Sequence, residues 1–224
     1  AAVHESYLRP AGRGTRGEKN TMKELLMLVC CTALLAASTA EPKTLVAYFS
    51  VPETTAAPVN REEENSVVTV GGQVLGNTQY VAQLIARERR GDLFRIEPRV
   101  PYTTDHAELT AQARAEQRRR ARPDLKRRVD DLSRYDTVFI GYPIWWSDLP
   151  MTVYSFLEQH DLKGKTVIPF VTHGGSHLAG TPATIAKLLP GSRVVADALC
   201  LDRDDVEQTA AAEVAGWLKA LDFK

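Results

Sequence analysis

Hydrophobic positions along this chain follow two alternating rhythms. Residues 44–49 form a continuous apolar run bounded by Lys43 and Ser50, and residues 137–141 and 166–171 repeat the pattern. Runs of this length and composition predict strands buried on both faces. Pro169 removes one ladder donor from the last of them. Residues 92–97 alternate apolar with polar, as an edge or half-buried strand does, and 193–201 reads as a final strand. Between these runs the spacing becomes helical. Val81, Leu84 and Ile85 place a helix over 78–90, which Gly91 ends. Residues 105–122 are helix-prone up to Pro123. Residues 150–158 and 181–189 each carry a proline in the first turn. Val206, Val214, Trp217, Leu218 and Leu221 lie on the apolar side of a last helix over 204–221. Residues 51–75 are polar, hold Pro52 and Pro58, and read as a long irregular loop.

Strands and helices therefore alternate five times, which predicts an α/β fold: an open parallel sheet with helices on both faces. No internal repeat and no second domain is visible. In such sheets ligands bind beyond the carboxyl ends of the strands, at the point where the strand order reverses.

The first forty residues read differently. Met22-Lys23, the apolar run 25–37 and the small residues Ser38-Thr39-Ala40 follow the order of a signal peptide, with cleavage before Glu41. Residues 1–21 read as an upstream segment expected to be disordered, and 41–224 as the folded domain. The apolar run is too short to span a bilayer comfortably, so no membrane span is expected once a leader is removed. The protein is then exported, to a periplasm or the exterior; without use of the leader it is cytoplasmic. Three cysteines, two of them Cys30 and Cys31 in the leader, do not make a disulfide framework. The formal net charge is zero, so nothing global points to nucleic acid. The run from Arg114 to Arg128 holds eight Lys/Arg against Glu116 and Asp124, but without interleaved aromatics it reads as a solvated helix face.

Three post-strand segments carry the candidate chemistry. Ser50 and Gly76-Asn77-Thr78 stand where a strand end and a helix start would meet, and the free amides of a first helical turn suit a phosphate. No Lys or Arg occurs from Gly71 to Tyr80, so dipoles and hydroxyls would hold it. By itself such a triplet is also an ordinary helix cap. Tyr142-Pro143-Ile144-Trp145-Trp146-Ser147 follows a buried strand; two adjacent indoles are hard to bury together, so one should be exposed or cover a ligand. Thr172-His173-Gly174-Gly175-Ser176-His177 offers hydroxyl donors and close backbone approach. Leu178 breaks a GxSxG elbow, and no histidine follows His177, which argues against a hydrolase. His173 and His177 stand four apart, but Gly174-Gly175 opposes a helix and no third metal ligand is evident, so no metal is assigned.

The ordered motifs LVAYFS, ENSVVTVGGQVLGNTQYVAQLIA, DLFRIEPRVPY, ARPDL, YDTVFIGYPIWWSDLPMTVYSFLE and PFVTHGGSHLAGT resemble the flavodoxin-like family, in a branch with exported or lipoprotein-type members. The resemblance runs from about Thr44 to the carboxyl end. It implies a doubly wound five-stranded sheet of order 2-1-3-4-5 and non-covalent binding of flavin mononucleotide (FMN). Ser50, Gly76, Asn77 and Thr78 match the phosphate loop. Pro143, Ile144, Trp145 and Trp146 match the ring-binding loop, and Thr172, His173, Gly175 and Ser176 the third loop. Ser147 and His177 stand where glycine is expected. The implied function is electron transfer, or reduction of a small acceptor such as a quinone by an NAD(P)H-dependent oxidoreductase. A stacked indole and few nearby cations would lower the flavin potential. The redox donor and acceptor are unidentified, and the protein is expected to be a monomer or homodimer. The alternative is a binding or sensory module on the same fold that has lost its flavin.

Overall fold

The computed structural model describes residues 43–221; the leader reading of 22–40 and the segment before it lie outside them. The chain runs β1 (Thr44–Tyr48), α1 (Arg61–Glu64), β2 (Val67–Val70), β3 (Gln73–Gly76), α2 (Asn77–Arg89), β4 (Asp92–Arg95) and α3 (His106–Arg118). It continues through β5 (Thr137–Pro143), α4 (Met151–Gln159), β6 (Thr166–His173), α5 (Thr181–Leu188), β7 (Arg193–Val194), β8 (Leu199–Asp202) and α6 (Val206–Ala220). The main sheet has the order β4-β1-β5-β6-β7, with β8 also paired to β6, and every pairing is parallel. β7 and β8 are two pieces of one edge line, so the sheet is the expected five-stranded 2-1-3-4-5 arrangement.

Strand alternation sends residues to two apolar layers. Leu45, Ala47, Val138, Ile140 and Val171 pack with α3, α4 and α5. Val46, Phe139, Ile168 and Phe170 pack with α2 and α6 on the other face. Parallel strands covered on both faces must be apolar throughout, which is why their sequence signal is a continuous run.

Three elements differ from the sequence reading. Residues 51–75 are not simply irregular: β2 and β3 form an antiparallel hairpin, turned by Gly71 (φ 56°) and Gly72 (φ 79°). A two-residue Gly-Gly turn with both φ positive matches the right-handed strand twist. The last strand breaks between Val194 and Leu199, where the Asp197 carbonyl accepts a hydrogen bond from Trp217 Nε1 (3.0 Å). α3 ends at Arg118, four residues early, because Arg120 turns left-handed (φ 50°) and the Ala121 N–H returns to the Glu116 carbonyl (2.9 Å). Conversely β5 and β6 each run two residues further than expected, to Pro143 and His173, which carries their ends into the rim. Among the described residues no helix is long and apolar enough to cross a membrane.

Candidate functional site

At the carboxyl rim, β3 feeds directly into α2 with Gly76 as the N-cap, so no cap side chain covers the helix start. The Asn77 N–H donates to the Ser66 carbonyl (3.2 Å), while the following first-turn amides have no intrahelical partner. Ser50, the second residue past β1, is buried, and a Cβ on Gly76 would overlap its Oγ. Glycine is thus required there for the two turns to approach. Asn77 Nδ2 donates to the Asn65 carbonyl (3.2 Å), leaving Asn77 Oδ1 buried without a partner. Thr78 Oγ1 lies 2.7 Å from Thr172 Oγ1, joining this turn to the end of β6.

The segment after β5 is tied to the same rim, since the Ile144 N–H donates to the Thr172 carbonyl (2.9 Å). Trp145 and Asp148 exchange backbone hydrogen bonds (3.0 and 3.1 Å) around Trp146 (φ 52°) and Ser147 (φ 57°). That is a turn with two left-handed central residues, a conformation that favours glycine. The two indoles part, as their adjacency required. Trp145 turns inward, edge-on to Phe49 (5.2 Å between centroids) and Tyr102 (5.4 Å). Trp146 stays 49% exposed. Its Nε1–H donates to the Thr110 carbonyl of α3 (3.1 Å), and the Arg114 guanidinium lies 4.8 Å from its ring centroid.

In the third segment Thr172 and His173 are buried, whereas Gly174 to His177 are exposed. The Gly175 N–H donates to His173 Nδ1 (3.0 Å). Burial pushes the His173 imidazole below its ordinary range, with Asp202 opposing the shift.

These three segments line one cleft. Of the residues expected there, Ser50, Asn77, Thr78, Pro143, Ile144, Trp145, Trp146, Thr172 and His173 face it. Gly76, Gly175 and Ser176 do not: Gly76 lies back against Ser50, and the chain swings away at Gly175 (φ 93°). Both departures from the family pattern fall at positive φ, Ser147 at 57° and His177 at 49°.

The cleft also has walls that sequence reasoning missed. Asn65 and Ser66 come from the unrecognised hairpin segment, and Leu109, Thr110 and Ala113 from α3. Glu53 and His106 meet across the mouth, His106 Nδ1 to Glu53 Oε2 at 3.0 Å. Only α3 left a sequence signal, the i, i+4 pair Leu109 and Ala113. Arg203 follows β8 and lines the cleft, so the expectation of few nearby cations is corrected. Its guanidinium lies where a Cβ on Gly174 would stand, and its Nε is buried without a hydrogen-bond partner. A rim position one residue past a strand was its available clue. Nor is the basic run after Arg114 a purely solvated face. Arg122 makes a two-pronged pair with Glu158 (2.7 Å each), and Arg127 lies over the Phe94 ring.

The sequence profile described as flavodoxin matches residues 69–219. A candidate flavoprotein from Bacteroides eggerthii is 31% identical, with TM-score 0.61; the match covers 81% of this chain and 99% of that one. A second candidate flavoprotein, from Bacteroides uniformis, is 28% identical over 80% of this chain and 98% of its own, with TM-score 0.59. The fold is shared with a Lactobacillus acidophilus flavoprotein solved in complex with FMN, 18% identical, TM-score 0.54, covering 79% of this chain and 99% of that one. No curated protein sequence matches the chain.

Proposed function

The chain belongs to the flavodoxin family, and on that premise we propose that it binds FMN without a covalent link and uses it to transfer electrons or to reduce a small acceptor such as a quinone. The observation that supports this most is convergence. Three turns far apart in sequence meet round one cleft at the carboxyl rim of a parallel sheet, where such sheets bind ligands. The Lactobacillus acidophilus protein of the same fold was solved with FMN, and that ligand is carried to this chain as part of the proposal.

The groups present fit the cofactor. The α2 first-turn amides and the Thr78 hydroxyl suit a phosphate at a helix start. The orphaned Asn77 Oδ1 needs a donor, which a ribityl hydroxyl supplies, and the orphaned Arg203 Nε needs an acceptor. Pro143 to Trp146 and Thr172-His173 form the remaining walls. FMN, when bound, supplies reversible one- or two-electron chemistry. The chain's own part is to position the ring, to hold Trp146 over the cleft through Thr110, and to set the local charge through Arg203.

The visible spectrum of the purified protein tests the cofactor. Flavin bands, with FMN released on denaturation, are expected; a colourless protein that takes up no added FMN defeats the proposal. Steady-state assays with NADPH and a quinone then separate a reductase, which turns over, from a carrier, which does not.

A further inference from the structure

We propose that His173, His177 and Cys200 form a site for a divalent d-block metal ion, with zinc the favoured class, on the flank of the cleft. One ligand atom from each side chain lies within 4.8 Å of the other two. The juxtaposition is built by the fold and is invisible in the sequence spacing. β6 and β8 pair with Val171 opposite Cys200 and His173 opposite Asp202. Alternation then puts His173 and Cys200 on the same face of the sheet. His177 is brought over them by a loop with left-handed backbone at Gly175, His177, Ala179 and Gly180. The two imidazoles end 4.8 Å apart between centroids, inclined at 54°. No helix is needed to bring two histidines four apart onto one centre, so the glycine pair that argued against a metal in the sequence becomes the means of the approach.

The donor set is selective. Two imidazole nitrogens and one sulfur suit zinc and its d-block neighbours and disfavour magnesium or calcium, which take oxygen ligands. Tetrahedral zinc with these donors holds ligand atoms about 3.3–3.6 Å apart. The exposed His177 loop therefore closes by about 1 Å on binding. Three protein ligands leave a fourth position open to water. His173 Nδ1 accepts the Gly175 N–H, which puts the neutral ring's proton on Nε2, so the ring binds a metal through Nε2 in its other tautomer. Ligation through Nε2 moves the ring proton to Nδ1, which gives up the Gly175 N–H and turns to Asp202 Oδ2, 3.6 Å away, the usual carboxylate partner of a metal-bound histidine.

The test uses the full chain with Cys30 and Cys31 replaced by serine, so that Cys200 is the one thiol. Cobalt(II) is titrated and followed by difference absorption against the flavin spectrum, and zinc is then used to displace it. One equivalent with a near-ultraviolet sulfur-to-cobalt band is expected. Cys200→Ser should abolish the band, and His177→Ala, at an exposed position, should weaken binding at least tenfold. Asp202→Asn should weaken it about 10–100-fold. Absence of the sulfur band, or equal affinity in His177→Ala, overturns the site. Neither outcome touches the FMN proposal, which the flavin spectrum reads separately.

Discussion

Thr78 Oγ1 and Thr172 Oγ1 sit 2.7 Å apart in the buried floor of the cleft, joining the first turn of α2 to the last turn-ward residues of β6. They are ninety-four positions apart in sequence, and theirs is the hydroxyl pair that ties the first turn lining the cleft to the third. Removing one partner leaves the other buried and unsatisfied, at a cost of about 1–3 kcal/mol, while replacing both by isosteric apolar groups costs much less. Thr172→Val should therefore lower stability by that amount. The Thr78→Val, Thr172→Val double variant should fall short of the sum of the singles. Urea unfolding of the four proteins in a double-mutant cycle checks this, and full additivity would show that the pair is not coupled.

Ser147 adopts φ 57°, in the left-handed region that favours glycine. A left-handed L-residue costs about 1–2 kcal/mol, and glycine gives back about 0.5–1 kcal/mol through the flexibility of its unfolded chain. Ser147→Gly should thus stabilise the protein by up to about 1 kcal/mol, and Ser147→Val should destabilise it. The urea midpoints of the two variants should move in opposite directions.

Gly141 in β5 presses directly on the Phe170 ring of β6, so that a Cβ there would overlap the ring. The ring is fully buried. Gly141→Ala should cost about 1–3 kcal/mol by overpacking. Thermal unfolding measures it, and Gly141→Ala with Phe170→Leu should recover part of the loss.

The sheet was legible because buried parallel strands leave continuous apolar runs, as at Thr44 to Phe49, whereas its strand order followed only from the family resemblance. The hairpin at Val67–Gly76 was hidden by the charged stretch before it, although Gly71-Gly72 is a strong turn signal. Nine of the expected residues line one cleft because the rim of a parallel sheet is where strand-following turns must gather. Glu53 and His106 were not foreseen because they reach the cleft through tertiary packing that leaves no periodicity, and Arg203 was missed although it stands one residue past β8. His173 and Cys200 share a face through strand register, not sequence spacing, and the loop after β6 carries His177 over them.

Arg203 gives the proposed flavin site a positive charge that the sequence did not advertise. A charge-assisted hydrogen bond contributes about 1.5–3 kcal/mol, reduced here because the side chain is 36% exposed. Arg203→Gln should weaken FMN binding by about tenfold and shift the flavin midpoint to more negative values, since reduction adds negative charge that the guanidinium otherwise offsets. Fluorescence titration and a reductive titration read the two effects. An unchanged midpoint would place Arg203 outside the field of the ring.

His160 closes α4 in a fixed protonation state. Nδ1 lies 2.8 Å from the Phe156 carbonyl, and Nε2 accepts the Val129 N–H (3.1 Å). Both ring nitrogens are committed, one as donor and one as acceptor, so the neutral ring fits and a proton on Nε2 would break the Val129 bond. Burial accordingly lowers its pKa below the ordinary 6.5, with the Phe156 carbonyl opposing the shift. A lowered folded value means that the unfolded chain binds the proton more readily. The stabilisation is therefore complete above the unfolded value of about 6.5 and is lost as pH falls through the lower folded value. His173, also lowered by burial, acts in the same direction. The urea midpoint should be flat above pH 7 and decline below pH 6.5. His160→Gln keeps an acceptor for Val129 without a titrating ring, and should shed part of that decline while losing some stability at neutral pH. A midpoint whose pH profile is unchanged in His160→Gln would assign the acid sensitivity to other groups.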